Sequence, residues 1–158
     1  KATLPESADN ALLFFLKLIR DADKTDIYRV TTNHYRGISM HSAIQIGLPD
    51  IADVSDSVCN EVINKRIVNF SEVKTINDFK ILQLGWVFDI NYPHTFYKIK
   101  ERKYLEIIQA TLPDTQKVRE AFNTASRFVE NSCNAIAQKS DSDTGRQCNI
   151  NPEGRVYE

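Results

Sequence analysis

The sequence predicts an all-α fold, a multi-helix bundle followed by a polar, flexible C-terminal tail. Three observations predict it. Apolar residues recur mostly three and four positions apart, glycine is scarce at 5 of 158 residues, and prolines and helix-capping residues punctuate the periodic stretches. A chain of this length can bury a real core in one domain. The helical part is expected over 1–139 and the tail over 140–158.

A first helix is predicted from Ala8 to His34, after Pro5, with Ser7 or Asp9 as its N-cap. Gly37 and the polar run around Thr31 to Asn33 end or bend it. Residues 39–53, with Gly47 and Pro49, form a connection that starts with a short helix. Ser55 then caps a short amphipathic helix that places Val58, Cys59, Val62 and Ile63 on one side. The piece RIVNFSEVKT, 66–75, is a linker with some strand propensity. Thr75 and Asp78 have the spacing of a capping box ahead of NDFKILQLGWVFDI. The apolar residues of that helix wrap most of its surface, which marks it as central. Tyr92-Pro93 breaks it. FYKIKERKYLEIIQATL follows as one bent or two short helices, and Pro113 separates it from a last long helix over 115–139. The segment SDSDTGRQCNINPEGRVYE is polar and rich in turn formers, so it is the tail.

A formal charge of −1 gives no electrostatic footprint for DNA or RNA, while a pocket for a phosphorylated small molecule needs only a few local cations. The three cysteines, Cys59, Cys133 and Cys148, form no CxxC pair, which points to a reduced, cytoplasmic protein. No apolar run has the length of a bilayer span, so no membrane partner is expected.

The stretch LIRDADKTDIYRV, 18–30, sets carboxylates into an otherwise apolar helix. Leu12, Leu16, Ile19, Asp23, Ile27 and Val30 share one helical face. Asp23 is therefore expected to point inward, in the middle of an apolar stripe. Asp26 borders that stripe. Asp21 lies about 160° away, at 100° per residue, and is expected in solvent. A buried, unpaired carboxylate costs several kcal/mol, so Asp23 requires a partner. The candidates are a cation such as Arg20 or Lys24, a capping or hydrogen-bonding role, or a metal ion.

IRDADKTDIYRV resembles the closing motif of the HD superfamily of metal-dependent phosphohydrolases, in which an Ala-Asp pair followed by a basic residue ends the signature. KTINDFKILQLGWVFDINYPHTFYKIKERKYLEIIQATLP is similar to the helical C-terminal region of a subgroup of bacterial HD-domain hydrolases. The resemblance implies an HD-type bundle and makes Asp23 the last metal ligand, so helical geometry and the resemblance converge on one residue. It further implies a divalent metal (Mn, Mg, Fe or Zn) that activates water for hydrolysis of a phosphate ester, nucleotides included. Arg20 and Lys24 would be candidates to neutralise substrate phosphate, against ordinary helix-surface charge as the other explanation. The hydrolase reading depends on an inward Asp23 and falls if that side chain stands free in solvent.

The HD signature needs a histidine and then a His-Asp pair upstream of the closing aspartate. The 22 residues before Asp23 contain no histidine, and His34, His41 and His94 all lie downstream. One carboxylate is a poor metal site. With KATLPES as the opening, the expectation is that a half carrying the other ligands lies outside this chain. Alone, these residues are expected to bind metal weakly or not at all and to be inactive. A helix face left exposed would favour self-association. The alternative is a non-catalytic helical binding or assembly module.

Other candidates have plainer explanations. Lys98, Lys100, Arg102 and Lys103 form a basic cluster that reads as a solvated helix face before a phosphate-attracting patch. Trp86, Phe88, Tyr92, Phe96 and Tyr97 suit core packing better than a nucleobase platform. No P-loop, GxGxxG or GxSxG is present.

Overall fold

The computed structural model describes residues 9–38 and 47–144. Among them the chain is helical, with six α-helices and two short 3-10 turns and no strand: α1 (Asn10–Tyr35), α2 (Asp56–Ile63), α3 (Ile76–Gly85), α4 (Pro93–Glu101), α5 (Tyr104–Gln109) and α6 (Gln116–Thr144). The 3-10 turns are Phe70–Glu72 and Trp86–Asp89. The all-α expectation holds. The expected short helix after position 39 and most of the tail fall outside the described residues, while α6 continues to Thr144, past position 139.

Local chemistry sets the helix ends. The Asp9 side chain accepts from the Leu12 amide at 2.7 Å and starts α1. At its other end Gly37, at φ +71°, lets the Gly37 and Ile38 amides reach the His34 and Asn33 carbonyls, a Schellman closure. Helix α2 ends the same way on a residue less suited to it. Lys65 has φ +57°, and the Lys65 and Arg66 amides bond to the Val62 and Glu61 carbonyls. Thr75 and Asp78 form the capping box that starts α3. Ser55 stands at the N-cap of α2, but its hydroxyl and amide both donate to Asp78, at 2.8 and 2.7 Å, so one buried carboxylate ties the starts of two helices together. The 66–75 linker makes a 3-10 turn capped by Asn69 instead of extended chain.

Helix α3 is the centre, buried from Asn77 to Gly85, and it packs against α2, α5 and α6. Gly85 makes its closest approach to α2: a Cβ there would stand 3.2 Å from Val62 Cγ2. Tyr28, Ile81, Leu84, Ile99 and Ile108 are among the fully buried side chains. Helix α6 runs along α2 and α4, and α1 lies on one side against α4 and α5. Lys103, at φ +54°, makes the sharp turn between α4 and α5, so FYKIKERKYLEIIQATL is two helices.

The Lys65 closure yields a stability test. A β-branched side chain resists the left-handed conformation, whereas glycine adopts it freely. Lys65→Val is expected to lower the free energy of urea unfolding by about 1 kcal/mol, and Lys65→Gly to leave it unchanged or raise it by up to about 1 kcal/mol. A valine variant as stable as the glycine variant would show that Lys65 is not held in this conformation.

Candidate functional site

Helix α1 presents its faces in the opposite sense to the one its hydropathy suggests. Of the stripe Leu12, Leu16, Ile19, Asp23, Ile27 and Val30, Leu12, Ile19 and Asp23 are exposed while Leu16, Ile27 and Val30 are half-buried, so the stripe is not the buried face of α1. Leu12, Phe15, Ile19, Asp23 and Asp26, spaced three or four apart, are all exposed. Phe15 retains 57% and Ile19 63% of its surface in solvent. Asp23 is therefore not an inward carboxylate, and the burial expected of it is corrected.

The inward carboxylate is Asp21, which is 2% exposed where solvent was expected. Its oxygens accept from the Asn91 amide at 3.0 and 3.1 Å, the Asn91 side-chain nitrogen at 2.9 Å, the Tyr92 amide at 2.9 Å and the Thr95 hydroxyl at 3.0 Å. These donors form the start of α4, where Pro93 occupies the first turn, no residue of that turn is acidic and no neighbouring side chain caps it. Asp21 supplies the missing acceptor from 70 residues upstream. The free amides and the positive end of the helix dipole both favour a negative charge there. Because the carboxylate is fully hydrogen-bonded, burying it requires no ion.

The rest of the inward face follows the same pattern. The Tyr28 hydroxyl donates to the Gln83 carbonyl at 2.6 Å, and the Tyr35 hydroxyl to Gln83 Oε1 at 3.0 Å. Burial pushes both phenols up from their ordinary pKa. Thr31 and Thr32 return their hydroxyls to carbonyls one turn back in α1. At the outer end the Tyr92 hydroxyl donates to the Phe14 carbonyl at 2.9 Å, with the two rings edge to face at 5.6 Å.

Arg20 and Lys24, the candidate substrate cations, converge on one carboxylate. Asp89 meets Arg20 at 2.5 Å and Lys24 at 3.0 Å, and all three groups are largely shielded from water. They join α1 to the turn after α3. Lys24 and Asp89 also form the polar end of an open cavity of about 490 Å³, whose walls include Phe70, Phe79, Leu82 and Trp86. Such a cavity suits an apolar or aromatic body with a charged end.

The described residues do not fit a metal by themselves. Among them no group of three or more His, Cys, Asp or Glu side chains comes together. Asp23 stands exposed, as do His34 and His94, and His41 lies outside the described residues. Cys59 and Cys133 are buried free thiols, and burial is the main cause that pushes Cys59 up to about 11. Compared with known proteins, the chain matches no family model, no curated protein and no solved structure.

The two aspartates give opposite forecasts. Asp21→Ala would strand the donors at the start of α4 and is expected to reduce unfolding free energy by roughly 3–5 kcal/mol. Asp23→Ala should stay within about 0.5 kcal/mol of the parent chain. Chemical denaturation of both variants checks the assignment, and a larger loss at position 23 than at position 21 would reverse it.

Proposed function

We propose that this chain is one side of a metal-dependent phosphohydrolase domain of the HD type, acting on a phosphate ester such as a nucleotide. On this proposal the outward face of α1 is the seam onto which the polypeptide carrying the His and His-Asp ligands packs. The supporting observation is the company Asp23 keeps. It lies in line with Leu12, Phe15 and Ile19 on an exposed face whose apolar side chains would each gain about 1–2 kcal/mol by being covered. The first turns of α1 carry apolar residues on most sides, whereas the residues of α1 that are buried are Asp21, Tyr28, Thr31 and Thr32.

The exposure of Asp23 is the opposite of what the sequence reading required. The proposal therefore no longer rests on a carboxylate buried by this chain's own core. It rests on the resemblance of IRDADKTDIYRV and on a face that covering would turn into an interior around Asp23. Within this chain the ligand set is incomplete, so no step of hydrolysis is assigned to its residues.

A second reading is an assembly module that docks through the same face without chemistry. It is favoured by the spread of exposed apolar surface beyond the Asp23 stripe, because Phe14 and Leu18 are exposed as well.

Co-expression of the chain with the polypeptide encoded directly upstream of it tests both. The phosphohydrolase proposal expects co-purification that Ile19→Glu disrupts. It also expects manganese-dependent cleavage of a generic phosphodiester that Asp23→Ala abolishes while the assembly persists. Assembly without metal binding or activity would leave the docking module, and absence of assembly would remove both.

A further inference from the structure

A second cluster of cations, unlike the Arg20–Lys24 pair, is only partly neutralised among the described residues. Where the end of α1 meets the α4–α5 turn, a cleft of about 300 Å³ is lined by Arg29, Thr32, Asn33, Arg36, Arg102 and Tyr104, with Ile107 behind them. Three guanidinium groups share this one concavity. Among the described residues neither Arg36 nor Arg102 pairs with a carboxylate. Arg29 is held by Asp26 at 2.6 Å, but both groups are mostly exposed, so the pair is weak and exchangeable. The carboxylate nearest Arg102 in sequence, Glu101, is engaged by Lys98 at 2.8 Å.

Tyr104 supplies the independent observation. It is 3% exposed, and its hydroxyl is buried without a hydrogen-bond partner among the described residues. A buried hydroxyl left unpaired is unfavourable, and it calls for an acceptor that the protein does not provide. Its ring is fixed by stacking on Tyr28, with centroids 5.4 Å apart and planes 11° apart, so it cannot turn freely to find one. The Arg29 pKa is raised chiefly by Asp26, with a smaller contribution from Tyr104 that puts the two within electrostatic reach. The residue between the two site groups, Lys103, takes the left-handed conformation noted above, and this turn is what brings Arg102 and Tyr104 to the same cleft.

We infer that this cleft binds a phosphate oxyanion, with Arg36 and Arg102 as the charge-assisted donors, and that their side chains shift on binding to uncover the buried Tyr104 hydroxyl as a third donor. Guanidinium pairs match phosphate oxygens in geometry, and a phosphate supplies the acceptor that Tyr104 lacks. The site is independent of the phosphohydrolase proposal: Asp23 does not line it, and it requires no metal. Its ligand is either free phosphate or the phosphoryl end of a small molecule, since both present the same oxygens.

Calorimetric titration of the intact chain with inorganic phosphate, and separately with pyrophosphate and glycerol phosphate, tests the inference. Saturable one-to-one binding that weakens as salt rises is expected for at least one of them, and which one binds tightest identifies the source. Arg36→Gln and Arg102→Gln, both on the exposed rim, should each raise Kd at least tenfold while leaving Tm within a few degrees of the parent. Tyr104→Phe carries a readout that a purely structural role would not give: Tm without phosphate should be unchanged or higher, while Kd rises severalfold. Non-saturable binding, equal binding by the arginine variants, or a Tyr104→Phe variant that loses Tm and keeps its Kd would overturn the assignment.

Discussion

The Asp21 carboxylate fixes which way α1 faces, and the placement of every candidate group follows from that. Four donor groups at the start of α4 converge on it. Rotating α1 by half a turn would bring Leu12, Phe15 and Ile19 onto α4 and α5. It would also leave those donors unpaired and carry Tyr28 and Tyr35 away from Gln83. Several buried polar groups losing partners outweigh the burial of a few aliphatic side chains, because each unpaired group costs about 1–3 kcal/mol. The polar face is therefore the one buried. Asp78 plays the same part between α2 and α3, accepting from the Ser55 amide and hydroxyl and from the Lys74 and Thr75 amides. Two buried aspartates organise the bundle, Asp21 tying the middle of α1 to the start of α4 and Asp78 joining the starts of α2 and α3.

Much of this fold is legible in local sequence because its boundaries are locally coded. Asp9, the Thr75–Asp78 box, Pro93 at the first turn of α4 and Gly37 after α1 each act within a few residues of themselves. The structure uses Asp9, the box and Gly37 where expected, and the Pro93 expected to break the preceding helix also opens α4. The face of α1 was not legible in the same way. Hydropathy ranks Asp21 as a solvent residue and Asp23 as an inward one, and both assignments fail because the partners of Asp21 lie 70 and more residues away. A signal was present in NYPHT, a helix start without an acidic residue or a capping side chain, which needs an acceptor from elsewhere. The arginine cleft was hidden for a similar reason. Arg29, Arg36 and Arg102 come from two regions of the chain, and only the turn at Lys103 joins them.

Charge is handled in two different ways on the two sides of α1. Near the outward stripe, Arg20 and Lys24 are satisfied by Asp89 and serve to attach the helix to the turn after α3. Near its C-terminal end, Arg36 and Arg102 line a cleft in which, among the described residues, only Arg29 is paired, with the exposed Asp26. The first arrangement is that of a scaffold and the second that of a binding site. An apolar seam at one end of α1 and a cationic cleft at the other give a single helix two separate ways to meet something outside this chain.

The most direct test of the inverted helix is to charge its outward face. Phe15→Glu and Ile19→Glu are introduced together, and the double variant is followed by circular dichroism melting and by sedimentation. If the face is outside the chain's own core, the variant keeps its helix content and a cooperative melt within a few degrees of the parent, and any self-association of the parent disappears. If the variant instead loses cooperative unfolding, those side chains belong to the core, and the assignment of Asp21 as the inward carboxylate fails with it.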